Sequence, residues 1–179
     1  MKQCLMELED RKLLGEERIV KFDYQCYMKA CEKICQDIKA NYNLEEIEII
    51  GMARGGLPMT VTLSHLLGIR QISMIQAQMS NSDHCHDYGE FRYMSDNVDS
   101  RSKKCILFED IIYKGKTTNG VIDILKARGK EILAVYSLVI DEGFKNIKIK
   151  NDDVEINYVY EINQDDWVYF LWEEDLTKI

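Results

Sequence analysis

The chain has 179 residues, 46% of them hydrophobic and 30% charged, with a formal net charge of −8. That length suits a single domain, folding about 70% of its unfolded surface away from water, and the acidic balance argues against nucleic acid as the main partner, because neutralising phosphates takes Lys and Arg. No apolar run approaches the ~18 residues of a membrane span, and Met1-Lys2-Gln3 leads into acids rather than a signal-peptide core, so a cytoplasmic protein without a membrane partner is expected.

Residues 1–20 are charged and weakly periodic, an arm or short helix that can end in a strand at Arg18–Phe22. Asp23 is placed to cap a helix running to about Tyr42. Its apolar stripe is Tyr24, Tyr27, Met28, Cys31, Ile34, Cys35 and Ile38. Cys26, Cys31 and Cys35 share one face of that helix and read as small buried hydrophobes. The six cysteines form no C-x-x-C pair and no regular spacing, so a disulfide framework is not expected.

Glu46–Ile50 reads as the first core strand and Gly51-Met52-Ala53-Arg54-Gly55-Gly56 as the turn after it. Pro58 suits the first turn of a helix that stops at Gly68. Glycines let a backbone approach a ligand closely, and adjacent N–H groups in such a turn form an anion nest. Gln71–Ala77 reads as a second strand. Residues 78–102 are polar and aperiodic, and a long irregular segment inside a compact domain is expected to be a functional lid or disordered. Within it, His84-Cys85-His86 lacks the second cluster that a tetrahedral metal site needs.

Lys103 to Gly120, KKCILFEDIIYKGKTTNG, is the stretch richest in chemistry. The run Cys105–Phe108 suits a fully buried strand. Glu109 and Asp110 follow, then Lys114, Gly115, Lys116, Thr117 and Thr118, then a helical pattern through Val121, Ile124 and Leu125 that ends at Gly129. A strand running into acids, a turn and a helix N-terminus makes a phosphate and metal site. The helix N–H groups and dipole hold the phosphate, the threonine hydroxyls add donors, and the acids can hold Mg²⁺ or sugar hydroxyls. Gly115-Lys116-Thr117 is not a nucleoside-triphosphate P-loop, because Asp110 stands where that motif has its first glycine.

Glu131–Ile140 and Val154–Tyr160 read as further strands. Strands alternating with helices predict an α/β fold with a parallel sheet, whose ligands bind beyond the strands' carboxyl ends. Both candidate loops fall there. The tail from Asn163 to Glu173 is acidic and aromatic, with Trp167, Tyr169, Phe170 and Trp172.

Three of these motifs occur in an order that resembles the type I phosphoribosyltransferase family, over about residues 45–173. Glu109 to Thr118 is similar to its phosphoribosyl-pyrophosphate signature, and Arg54-Gly55-Gly56 to its pyrophosphate loop. The tail resembles the C-terminal base-binding segment of bacterial xanthine-guanine phosphoribosyltransferases and their archaeal relatives. The resemblance implies one domain of that parallel-sheet fold: an arm and helix over 1–43, a core over 44–162 with a mobile lid over 78–102, and a base-binding tail over 163–179. It implies transfer of ribose 5-phosphate from phosphoribosyl pyrophosphate to a purine-like base with release of pyrophosphate, Mg²⁺ as cofactor, a place in purine salvage and nucleotide metabolism, and a homodimer or homotetramer.

By the same resemblance Arg54, Glu109, Asp110 and Tyr113 are the catalytic candidates. Arg54, Gly55, Gly56, Lys114, Gly115, Lys116, Thr117 and Thr118 hold the phosphates. Asp141, Trp167, Val168 and Glu173 read the base, and Glu109, Asp110 and Glu173 bind metal. Three positions depart from the family pattern. Glu109 replaces the commoner Asp. Tyr113 stands where the family has an Asp thought to handle the base's proton, a group whose loss costs typically about 10²–10⁴-fold. Asp141 stands where the 6-oxopurine enzymes have a lysine, and a carboxylate, which only accepts, suits an exocyclic amine. Tyr113, His84, His86 or Tyr88 could take over the proton. The second reading is a catalytically impaired nucleotide- or phosphoribosyl-pyrophosphate-binding regulator, and the third an α/β interaction domain.

Overall fold

The computed structural model of the chain describes residues 2–4, 19–79, 89–141, 154–163 and 166–173. Among these, seven strands form one sheet: β1 (Lys2–Cys4), β3 (Ile47–Ala53), β4 (Ile72–Met79), β5 (Phe91–Asp96), β6 (Lys104–Ile112), β7 (Glu131–Asp141) and β8 (Glu155–Ile162). Their order across the sheet is β1-β8-β7-β6-β3-β4-β5. All neighbours are parallel except β4 and β5. The expected α/β architecture is present, and no described helix is long and apolar enough to cross a membrane.

The central strand shows why the sheet is covered on both faces. Cys105 to Phe108 are all buried, and successive side chains point to opposite faces. Ile106 and Phe108 join the core formed with α1 (Tyr24–Asn41) and α2 (Gly56–Leu67). Cys105 and Leu107 join the core formed with α3 (Lys116–Ala127). A strand buried on both sides reads as a continuous apolar run, the signal in the sequence.

α1 begins as its sequence suggests: Asp23 accepts a 2.8 Å hydrogen bond from the Cys26 amide. Its buried face is Tyr27, Ala30, Cys31, Ile34, Cys35 and Ile38, while Cys26 and Met28 are half-buried. Tyr24 departs from expectation. It is 65% exposed at the first helical position, beyond the packed face. α2 stops at Gly68, as predicted.

The ends of β3 and β6 extend beyond the sequence reading, and three strands were absent from it: Lys2–Cys4, Phe91–Asp96 and Trp167–Phe170. β3 continues through Gly51 to Ala53, pairing with Met74 to Gln76, and β6 continues through the acids, with Glu109 opposite Ser137. Ladder hydrogen bonds run between main chains, so a strand need not end where its apolar side chains do. Phe91–Asp96, inside the segment expected to be irregular, is a strand antiparallel to β4 with a bulge facing Gln76 and Ala77. The lid expectation for 80–88, with His84, Cys85, His86 and Tyr88, lies outside the described residues.

A second sheet pairs β2 (Ile19–Phe22) with β9 (Trp167–Phe170) in parallel, and the two strands cover the first core together. Val20, Phe22, Val168 and Phe170 point inward, and the Phe22 ring meets Tyr160 edge-on at 5.0 Å. Lys21, Trp167 and Tyr169 point outward.

Candidate functional site

Beyond the carboxyl ends of β3, β4 and β6 lies a cavity of about 310 Å³. The parallel neighbours β3 and β6 end side by side, so the loops that follow them meet. Arg54 and Gly55 border it from one loop, and Tyr113, Lys114 and Gly115 from the other. α2 begins at Gly56 and α3 at Lys116, so two helix N-termini approach the same space. Each carries orphan N–H groups and about half a positive charge, a setting that favours an anion with two phosphate groups.

The two loops touch. A Cβ on Gly55 would overlap the Asp110 carboxylate, and one on Gly56 would overlap the Phe108 carbonyl. Glycine is needed because the first loop rests directly on the end of β6. Gly115 meets a different demand: its φ of 66° is left-handed, which turns the strand into the helix. The Ala53–Arg54 peptide bond is cis.

Glu109 and Asp110 lie half-buried along the cavity. Burial pushes the Glu109 carboxyl up to about 8, the Thr118 hydrogen bond opposes this, and the Asp110 charge adds to it. Burial also raises Asp110 to about 6, against the Ile111 amide that donates to it at 2.9 Å, and Glu173 raises it further. Near neutral pH Asp110 is therefore mainly charged and Glu109 mainly protonated. Oxygen-only donors of this kind fit Mg²⁺, which takes one or two carboxylates and completes its shell with phosphate oxygens and water. Glu109 and Asp110 are the residues that would hold it.

Glu173 does not join them. Among the described residues no three acids, histidines or cysteines are grouped as a metal site. The Glu173 carboxylate accepts from the Phe170 amide at 3.3 Å, within the turn Leu171–Glu173 that closes the tail. Its charge still reaches Asp110, so the tail approaches the site without building a third ligand.

Other expectations fare unevenly. Thr117 and Thr118 both line the cavity, Thr117 half-buried and Thr118 1% exposed, and the Thr118 hydroxyl donates to Glu109 at 2.5 Å. That proton is not available to a phosphate. Tyr113 lines the cavity and also packs on the first core. Asp141 is 4% exposed, the last rung of β7 opposite Ile162, and is not among the cavity's lining residues. Val168 points into the core, so only its main chain could meet a base. Trp167 is 45% exposed beside Tyr169, their rings 6.3 Å apart, and Trp172 stacks on Phe170 at 4.8 Å.

The sequence reading missed Met52, Ala77, Gln78 and Met79, which form the cavity's remaining wall. A signal existed in part. Two adjacent parallel strands must end near each other, and Ala53 pairs with Gln76. The pairing of β3 with β4 was the information lacking.

Residues 23–178 match the phosphoribosyl transferase domain family. Among curated proteins, the bifunctional protein PyrR of Clostridium kluyveri is 27% identical over 128 residues, covering 67% of this chain and 71% of that one. Among solved structures, a purine phosphoribosyltransferase from Pyrococcus horikoshii superposes with a TM-score of 0.69 at 22% identity, covering 89% of this chain and 97% of its own. The Helicobacter pylori xanthine-guanine-hypoxanthine phosphoribosyltransferase gives 0.69 at 18% identity, with the same coverage.

Proposed function

The chain belongs to the phosphoribosyl transferase domain family, and from that premise we propose that it transfers ribose 5-phosphate from phosphoribosyl pyrophosphate to a purine-like nitrogenous base, releasing pyrophosphate. The observation that carries this is the contact between the two loops: Gly55 rests on Asp110, so a guanidinium-bearing turn and a pair of acids border one cavity. A single diphosphorylated sugar phosphate satisfies both.

In this reading the bond from the anomeric carbon to the pyrophosphate oxygen breaks, and a bond from that carbon to a ring nitrogen of the base forms. Arg54, with the main-chain N–H groups at the start of α2, holds the negative charge that grows on the leaving pyrophosphate. The loop from Lys114 to Thr117 anchors the 5-phosphate at the N-terminus of α3. Glu109 and Asp110 orient the ribose hydroxyls. Mg²⁺ bound at these acids would screen the pyrophosphate's charge. The proton released by the base goes to Tyr113, which lines the cavity, or to His84, His86 or Tyr88. Trp167 stacks on the base and Asp141 reads its edge only if the tail and the end of β7 close over the cavity in the loaded state. The assembly is a dimer or tetramer acting in purine salvage.

A screen of the common bases with phosphoribosyl pyrophosphate and Mg²⁺, read as pyrophosphate release, tests the proposal. Turnover with one base is the expected result. The second reading, a nucleotide- or phosphoribosyl-pyrophosphate-binding regulator, is favoured by Tyr113, which puts a phenol where a carboxylate would carry the proton. Tight binding without turnover on any base would select it.

A further inference from the structure

Thr118 lines the cavity, but its hydroxyl is engaged within the protein. It is the third residue of α3, its side chain is 1% exposed, and its Oγ1 donates to Glu109 Oε2 at 2.5 Å. A threonine hydroxyl has one proton to give. Thr117, half-buried at the cavity, carries the threonine hydroxyl that faces an anion there, beside Lys114 and Lys116.

The hydrogen bond joins two different elements. Glu109 lies on β6, where it pairs with Ser137, and Thr118 lies in the first turn of α3, which is closed by the Asn119 amide donating to Gly115 at 2.8 Å. Between them run Tyr113, Lys114 and Gly115, all of them cavity-lining. The Thr118–Glu109 bond therefore closes the strand, the loop and the first helical turn into a ring around the anion site. Fixing one carboxyl oxygen also restricts the torsions of the Glu109 side chain, which otherwise would have to be ordered by the ligand.

We propose that Thr118 is a positioning residue that couples the anion-holding loop to Glu109, so that the site favours a sugar phosphate over phosphate alone. The coupling rests on the phosphoribosyl reading of the site, because it assigns Glu109 to the sugar hydroxyls. An anion drawn to the start of α3 settles the turn that holds Thr118, and Thr118 in turn sets the carboxyl that meets the sugar. A change at Thr118 then acts on the sugar and not on the phosphate.

Calorimetric titration of the full chain with inorganic phosphate and with ribose 5-phosphate separates these effects. The wild type is expected to bind ribose 5-phosphate more tightly than phosphate. Thr118→Val, which keeps the shape and removes the donor, should lose about tenfold on ribose 5-phosphate and less than about twofold on phosphate, the size of a single hydrogen bond. Thr118→Ser should restore the preference. Should Thr118→Val fail to fold, as judged by its thermal unfolding, Thr118→Ala is read by the same criteria. An equal loss on both ligands would make Thr118 a direct anion donor and overturn the proposal, and so would no loss on either. A wild type that binds neither ligand overturns the phosphoribosyl reading itself, an outcome distinct from both.

Discussion

Gly55 lies against the Asp110 carboxylate with no room for a methyl group between them. Gly55→Ala must therefore push apart the two loops that border the cavity. We expect it to weaken pyrophosphate binding by more than about tenfold, a misplacement effect of the kind that small shifts cause at a preorganised site; titration calorimetry with pyrophosphate measures it. Glu109 makes a second prediction at this scale, through pH. Its carboxyl titrates near 8 in the folded chain against 4.5 ordinarily, so between those values the folded state binds more protons than the unfolded one. Stability then falls as pH rises through that window and is unaffected by this group below it. Glu109→Gln keeps an acceptor for Thr118 and cannot ionise. The variant should match the wild type in thermal unfolding near the low end of the window and exceed it at about pH 8. A variant less stable than the wild type at both ends would show that the carboxyl is charged in the free protein.

The elements are fastened at the end of the sheet opposite the cavity by a buried ion pair. Lys130, just before β7, donates to Glu48 of β3 at 2.6 Å and to the carbonyl oxygens of Asp99 and Ser102. Glu48 also accepts from the Ser73 hydroxyl and, at 2.9 Å, from the Asp99 amide. Lys130 is 7% exposed and Glu48 4%. The pair thus ties β3, β4, β7 and the 97–103 connection together. Removing one partner leaves the other charge buried and alone, which costs about 3–5 kcal/mol. Lys130→Met should show that loss in denaturant unfolding. Combining it with Glu48→Gln should recover most of it, because the amide still accepts and carries no charge. Additive losses in the double variant would mean that the two side chains are not coupled.

At the scale of the whole molecule, Ile19–Phe22 and Trp167–Phe170, far apart in the chain, form one small sheet over the first core. Val168 and Phe170 fill that core from β9, opposite Val20 and Phe22 of β2. Truncation before Asn163 should cost about 3–6 kcal/mol for the two buried side chains, at roughly 1.5–3 each, and should expose a patch that binds an apolar dye. Unchanged thermal unfolding after truncation would mean that the tail only rests on the surface. What the sequence determined by itself was written in short-range patterns: the alternation of strands and helices, the Asp23 cap, the double-sided burial of Cys105–Phe108, and the two connections around Arg54-Gly55-Gly56 and Tyr113-Lys114-Gly115. Periodicity and turn chemistry act over a few residues, so a single sequence displays them. Only the tertiary structure decided how β1 meets β8 and β2 meets β9, because parallel pairing joins residues far apart and leaves no local mark. The same holds for the partner of Thr118, the burial of Asp141 away from the cavity, the outward face of Trp167 and the raised carboxyls of Glu109 and Asp110. Each of these depends on which distant groups share a small volume, and packing settles that once the sheet has formed.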